Sequence, residues 1–481
     1  MVRILSIIFL LLFPFISYSQ QSQIEKFLSD SSMIHSSVSL SIIEADSGNV
    51  ISQINPEKSL TQASILKLIT TATAIEMLGK DYTFKTTIGY SGEIRKGSKT
   101  LNGNIIIKGG GDPTLGSENF PEFNNGFIDN WINNILALGI KKINGRIIVD
   151  DSYYDYQTIP SGWSWEDIGN YYGAGAYGLS ISDNTLQVHF KTNGNGSFPI
   201  LTSITPEGSG IEFTNFLTAS GTEDNGYIYS APYGNSGWIA GTIPEDKEDF
   251  ILKGSIPDPP LFLAKAFNKK LKDAGVKVSS NPVTTRLMPE LKTDNFTLIS
   301  QTISPPLSAI IKVLNHKSVN LYAEHLIKEL GKVFKNSGTT TAGAEVIMGF
   351  LDSAGVKTDG MFIEDGSGLS SRDAINSAEM VKLLLFMKKN SGFFDDYFMS
   401  LPDAGKEGTL KNYFKDQIFE SRLRAKSGSL TGTRVRSYAG YFTTLSGKEM
   451  IFCIIVNNYS GPSKKIIAGI EEILKDVILT R

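Results

Sequence analysis

The chain of 481 residues carries 46 Lys and Arg against 49 Asp and Glu, a net charge of −3, with 41% hydrophobic and 20% charged residues. That composition fits a globular protein with two or three cores and excludes dominant disorder, and a near-neutral balance supplies no basic field for nucleic acid. The lone cysteine, Cys453, sits in the apolar run 450–456 and reads as a buried strand residue, because one thiol makes neither an internal disulfide nor a four-cysteine zinc site.

In chain order, Arg3, the apolar stretch 4–16 and Ser17-Tyr18-Ser19 read as an export signal over residues 1–19, cleaved near Ser19. Its apolar part is too short for a membrane span, so the mature chain is expected to be periplasmic or secreted. Residues 37–54 alternate into two strands around Asp46-Ser47-Gly48, and 61–78 read as a helix with Ile65, Leu68, Ile69, Ala72, Ile75 and Leu78 on one stripe. From about 83 to 292 helical periodicity largely disappears. Strands at 102–108, 142–150 and 186–191 dominate there, with helices near 127–138 and 261–274. Helices return at 308–314, 319–330, 341–354 and 377–388, followed by strands at 424–427, 434–444 and 450–457 and a closing helix at 463–479. The outer segments therefore form one α/β unit around a β-rich insert of roughly two hundred residues, enough for one or two further domains.

Three short motifs carry the chemistry. Ser64-Ile65-Leu66-Lys67 places a lysine one helical turn after a serine, so the amine reaches the hydroxyl. With His35, His189, His316 and His325 the only histidines, an amine desolvated by apolar neighbours is the natural base for such a nucleophile. Ser318-Val319-Asn320 sets a hydroxyl and a carboxamide at a loop-to-helix junction, one to relay a proton and the other to orient substrate and lysine. Ser182-Asp183-Asn184 is a rival for that role, but it lies in the strand-rich insert, where a turn accounts for it. Lys426-Ser427-Gly428 offers a cation and a hydroxyl for a carboxylate on a strand whose edge pairs with an extended peptide. Each motif alone has an ordinary explanation as a cap or a strand end. Their order together favours serine acyl-enzyme chemistry.

Ser318 and Lys426 are 108 residues apart, whereas 254 separate Ser64 from Ser318 and must hold the insert. This layout resembles the D-alanyl-D-alanine carboxypeptidase/endopeptidase family of class C low-molecular-mass penicillin-binding proteins, the penicillin-binding protein 4 type. So do the segments Gly109-Gly110-Gly111-Asp112-Pro113-Thr114-Leu115, Asp150-Asp151-Ser152-Tyr153-Tyr154-Asp155, Asp365-Gly366-Ser367-Gly368-Leu369-Ser370 and 401–410. The resemblance implies an α/β (α+β) serine β-lactamase/transpeptidase-like domain at 20–84 and 295–481, a second domain at 85–188 and 251–294, and a nested third at 189–250. It implies action on peptidoglycan stem peptides, covalent inhibition by β-lactam antibiotics, and no metal or other cofactor. By position, Ser64 is the nucleophile and Lys67 its base, Ser318 and Lys426 pass a proton to the leaving amine, and Asn320 holds the substrate amide. Ser427 with Gly428 and Ser429 lines the carboxylate end, and the N–H groups of Ser64 and Ser429 form the oxyanion hole.

Within Trp163-Ser164-Trp165-Glu166-Asp167, Asp167 matches the family acid that meets a substrate side-chain amine, the alternative being a surface acid beside packed tryptophans. The chain departs from the family in carrying Ser427 for Thr and Leu369-Ser370-Ser371-Arg372 for Leu-Ser-Arg. Two other readings stand beside this one: a serine β-lactamase, disfavoured by the large insert and the missing second base, and an inactive wall-binding or sensory protein, disfavoured by three intact motifs. The sequence does not set the oligomeric state.

Overall fold

The computed structural model describes residues 18–124 and 126–481. Residues 1–17 of the expected export signal lie outside that range, and its last two, Tyr18 and Ser19, open the helix Tyr18–Ser29. Among the described residues no helix is long and apolar enough to cross a membrane.

The outer segments meet in one antiparallel five-stranded sheet, ordered Leu423–Leu430, Val435–Thr443, Glu449–Asn457, Ser37–Glu44, Val50–Ile54. Its central strand explains the unbroken apolar run around Cys453. Ile451, Cys453 and Ile455 enter one hydrophobic cluster, while Met450, Phe452, Ile454 and Val456 enter another on the opposite face. A strand covered on both sides is apolar throughout rather than alternating. The first cluster packs under Leu66–Leu78, Leu307–Lys317, Asn320–Lys335, Thr340–Ser353 and Ser377–Asn390, and the second under Tyr18–Ser29 and Ser463–Thr480.

The insert leaves and re-enters through neighbouring strands. Lys85–Tyr90 pairs antiparallel with Thr297–Ile303 at the edge of a second five-stranded sheet, so 297–303 belongs to the insert's sheet although it lies beyond the expected junction at 295. Residues 102–108 and 142–150, expected as single strands, each divide at a turn into Thr100–Asn102 with Ile105–Lys108 and Lys142–Ile143 with Ile147–Asp150. The nested stretch adds two three-stranded sheets. One joins Thr185–Lys191 to Ile200–Thr205 and Phe250–Ser255; the other is Glu212–Ala219, Ser236–Ile243, Asn225–Tyr229.

The helix Asn320–Lys335, which carries one motif, crosses Thr340–Ser353 at a glycine. A Cβ at Gly343 would stand 1.8 Å from the Ile327 carbonyl oxygen, inside any real contact. Gly343→Ala must push the two helices apart, and we expect it to lower unfolding free energy by about 1–3 kcal/mol in urea titration; an unchanged midpoint would contradict this packing.

Candidate active site

The expected helix 61–78 starts later than its periodicity suggests. Ala63–Ile65 forms a single 3₁₀ turn and the α-helix runs from Leu66 to Leu78, so Ser64 stands on the turn before the helix. Ala63 is held in the left-handed region at φ 52°, which costs a residue with a Cβ about 1–2 kcal/mol and is sustained by its surroundings. Those surroundings are two glycines. Any Cβ on Gly368 would lie 2.1 Å from the Ala63 carbonyl oxygen, and one on Gly428 would lie 2.7 Å from the Gln62 carbonyl oxygen and 3.0 Å from the Ser64 nitrogen. The Lys426-Ser427-Gly428 strand thus presses directly on the turn that presents Ser64.

Lys67 is wholly buried, and its Nζ has three partners: Ser64 Oγ at 3.0 Å, Asn320 Oδ1 at 2.6 Å and the Ser367 carbonyl at 2.7 Å. The last two are pure acceptors. A neutral amine satisfies both with its two hydrogens and keeps its lone pair for the Ser64 hydroxyl proton. Burial lowers the Lys67 pKa to about 8, against the opposing pull of the Asp365, Glu324 and Asp373 carboxylates.

The partners of Lys67 are themselves fixed. Glu324, one turn after Asn320 and fully buried, accepts the Gly366 N–H; burial and then the Asp365 charge push its pKa up to about 8. Asp365 accepts N–H groups of Ser367, Gly368 and Ser370, which winds the chain so that the Ser367 carbonyl meets Lys67. Asp373 accepts the Glu364 N–H, and burial raises its pKa well above the carboxylate range.

Ser318 ends the helix Leu307–Lys317 at φ 57°, the second left-handed residue of the cleft, and Lys426 Nζ donates to its Oγ at 2.9 Å. The same Nζ donates to the Ser427 carbonyl at 2.8 Å. Lys426 is fully buried, and burial first and the Lys67 charge second hold its pKa well below the usual lysine range. Ser427 Oγ donates to Thr409 Oγ1 at 2.8 Å. Ser429 follows on the same strand, exposed and opposite Arg436. Ser64, Lys67, Ser318, Asn320, Lys426, Ser427 and Gly428 therefore share one cleft. Glu324, Ser367 and Thr409 join them, although they lie outside the three motifs. Asp365, Ser367 and Thr409 fall in segments carrying the family resemblance, the one signal that singled them out.

The insert forms a wall of this cleft. Asn320 Nδ2 donates to the Tyr172 carbonyl at 2.8 Å, and the Trp163 indole donates to Asp365 Oδ2 at 2.8 Å. Asp167 is half-buried beside Tyr172, whose hydroxyl bonds it; burial raises the Asp167 pKa, with Glu166 adding to the rise. The rival Ser182-Asp183-Asn184 is a turn with positive φ at all three residues. Its Asp183 accepts from Tyr322 at 2.8 Å and so braces the Asn320 helix from outside the cleft. Arg372 is exposed against Gly162 of the insert. Among the described residues no histidine bonds Ser64 or Lys67; His325 is buried between Ser180 Oγ and the Gly111 carbonyl, and burial lowers its pKa to about 3.

A serine bonded to a buried lysine, with a second serine–lysine pair facing it across an antiparallel sheet edge, defines a penicillin-recognising serine acyltransferase. The chain belongs to the D-Ala-D-Ala carboxypeptidase 3 (S13) family, whose profile matches residues 20–477. It is 28% identical over 442 residues to a D-alanyl-D-alanine carboxypeptidase of Actinomadura sp. strain R39, covering 88% of this chain and 78% of that protein. With D-alanyl-D-alanine carboxypeptidase DacB of Haemophilus influenzae it shares 23% identity over 423 residues, 85% of this chain and 83% of the other. The crystal structure of penicillin binding protein 4 (dacB) from that organism has the same fold, with a TM-score of 0.81 at 20% identity over 95% of this chain and 99% of the other. The enzyme is thus a serine-type D-Ala-D-Ala carboxypeptidase, as the sequence reading held.

The cleft's electrostatics fix its pH response. The neutral fraction of Lys67 grows as pH rises through about 8, so acylation by penicillin should rise over the same interval. Glu324→Gln keeps an acceptor for Gly366 and removes the carboxylate charge that favours the ammonium form once Glu324 ionises near pH 8. We expect its acylation profile to shift to lower pH in stopped-flow measurements; an unmoved inflection would show that Glu324 does not act on Lys67.

Proposed function

We propose that this carboxypeptidase removes the terminal D-Ala from peptidoglycan stem peptides through an acyl-enzyme on Ser64, and that it also cuts D-amino-acid cross-links as an endopeptidase. The observation that carries the reading is the Lys67 nitrogen 3.0 Å from Ser64 Oγ with its two remaining hydrogens already committed. As Oγ attacks the carbonyl carbon before the scissile bond, its proton passes to the Lys67 amine. The N–H groups of Ser64 and Ser429 take the developing oxyanion. The proton taken by Lys67 passes through Ser318, bonded to Lys426, to the departing amine, which returns Lys67 to its neutral form. The Lys67 amine then deprotonates a water that attacks the acyl carbon, and the proton goes back to Ser64 Oγ as the acyl group leaves. Asn320 has one carboxamide N–H held by Tyr172 and offers the other to the substrate amide. Ser427 and Thr409 receive the terminal carboxylate.

β-Lactams are proposed to acylate Ser64 in place of the peptide. A crystal structure of the Haemophilus influenzae penicillin binding protein 4 with a β-lactam, at a TM-score of 0.73 and 20% identity, shares the fold. The β-lactamase alternative needs a base to activate water. The acid groups of Glu324, Asp365 and Asp373, which act on Lys67, are occupied in accepting backbone N–H groups, which supports a long-lived adduct. The chain is also proposed to divide into a catalytic unit, a second unit that takes Thr297–Ile303, and a nested third, whose expected bounds of 189–250 widen to 185–255 because Thr185–Lys191 and Phe250–Ser255 are paired strands of one sheet. A periplasmic or secreted location after loss of residues 1–19 belongs to the same proposal.

Labelled penicillin and D-Ala release test the reading together. Ser64→Ala should abolish both, and Lys67→Ala should slow acylation by about 10²–10⁴-fold while leaving the nucleophile in place. Near-wild-type acylation of the lysine variant would refute the assigned base. A rapidly shed adduct would mark a lactamase, and no adduct an inactive binder. Asp167 is proposed to meet the side-chain amine of the stem peptide, so Asp167→Asn should raise KM for stems with a free amine and leave acetylated stems unaffected. Equal effects on both stems would assign Asp167 to the surface.

A further inference from the structure

Strand alternation sorts the nested sheet into two faces. Leu217, Ile228 and Ile239 point into the core, while Phe216, Tyr227, Tyr229 and Trp238 lie on the opposite face. Phe216 is 62% exposed, Trp238 40% and Tyr227 40%. Trp238 stacks on Tyr229 with ring centres 5.3 Å apart and planes 12° from parallel. It also meets Trp165 at 6.1 Å and 46°, and Trp165 is itself 47% exposed. Trp165 comes from the short helix Trp165–Ile168, so one aromatic surface crosses two chain segments. The buried Asn170 fixes their relation, donating to the Glu166 carbonyl at 2.6 Å and accepting from the Ile228 N–H at 3.1 Å. Single exposed aromatics are ordinary; a contiguous, rigidly held set marks a binding surface.

This surface begins where the catalytic cleft ends. Glu166, next to Trp165, reaches within 3.7 Å of a Cβ placed on Gly432, in the turn after the Lys426 strand. Asp167 bonds Tyr172, whose carbonyl holds Asn320. The charges of Glu166 and Asp167 also act on Tyr227, so the acids rim the aromatic face. Residues 189–250 contain two lysines, no arginine and eight carboxylates, a net charge of −6. Such a field repels anionic lipid and polyphosphate. It leaves open an uncharged ligand with apolar faces and hydroxyl or amide donors at its edges, the description of an N-acetylated pyranose.

We propose that the face formed by Trp165, Trp238, Tyr229, Tyr227 and Phe216 is a second substrate subsite, stacking uncharged sugar rings of the glycan strand that bears the stem peptide. The proposal rests on the D-Ala-D-Ala reading and extends it from free peptides to the polymer. Stacking sets where the glycan runs, and the stem then enters the cleft past Asp167 and Tyr172.

Glycan strands of alternating N-acetylglucosamine and N-acetylmuramic acid, with each lactyl carboxyl capped as its amide so that the strand is uncharged, should bind the full chain with measurable heat in titration calorimetry. The doubly substituted Trp238→Ala, Phe216→Ala protein should lose that response. It should keep penicillin acylation and turnover of a short D-Ala-D-Ala peptide, with KM for glycan-linked stems raised about tenfold and kcat unchanged. Equal KM for glycan-linked stems in both proteins, or equal losses on both substrates, would overturn the subsite. A glycan-insensitive protein that sediments as a dimer, and as a monomer when doubly substituted, would overturn it in favour of a self-association face. The glycan titration repeated on Ser64→Ala does not depend on turnover, so failure of the catalytic reading and failure of the subsite give different results.

Discussion

The structure is organised around one buried amine, the Lys67 nitrogen. Burying an ammonium without compensation costs several kcal/mol, and Lys67 escapes that penalty only because three separated stretches of chain place acceptors around it. Ser64 comes from its own turn, Asn320 from a helix that starts 253 positions on, and the Ser367 carbonyl from a loop 300 positions on. The Ser367 carbonyl is held in turn by the buried Asp365 and the Asn320 carboxamide by the insert, while two glycines sustain the Ser64 turn. The same arrangement that makes the lysine tolerable also leaves it uncharged enough to take a proton.

The insert is accordingly part of the cleft. Trp163 steadies Asp365, Tyr172 steadies Asn320, and Asp183 steadies Tyr322 two residues further along the same helix. Farther from the cleft, Glu329 accepts hydroxyls from Tyr153 at 3.0 Å and Tyr154 at 2.7 Å. Lys328 donates to Asp155 at 2.5 Å. One whole side of the Asn320 helix is thus read by residues 153–183. Displacement of the insert would first be felt by the carboxamide that faces Lys67.

Much of this was legible in the residues. The apolar stripes gave most helices of the outer unit to within about five positions, because packing against a sheet demands a 3.6-residue period, while Tyr18–Ser29 and Phe394–Met399 were not expected. The order of the serine, lysine and glycine motifs pointed to a single cleft. The 3₁₀ turn at Ala63–Ile65 was not legible, since two glycines more than three hundred positions away sustain it. Most strands of the nested stretch also escaped notice: half-exposed strands with outward aromatics such as Phe216 and Trp238 blur the alternation that marks a strand. Glu324 gave no sign either, because an acid on a helix reads as solvated until the chain above it is in place.

The central position of Glu449–Asn457 has a consequence for when the enzyme first exists. That strand lies between Val435–Thr443 and Ser37–Glu44, so the amino-terminal hairpin and the Lys426 strand share no ladder until it arrives. A polypeptide emerging from a ribosome or a translocon amino end first would expose the nucleophile turn long before the strand that presses upon it. The insert has its own sheets and its own core, and is free to consolidate in the meantime. Hydrolytic competence would then appear abruptly, with the last few dozen residues, and no shorter nascent chain would carry it.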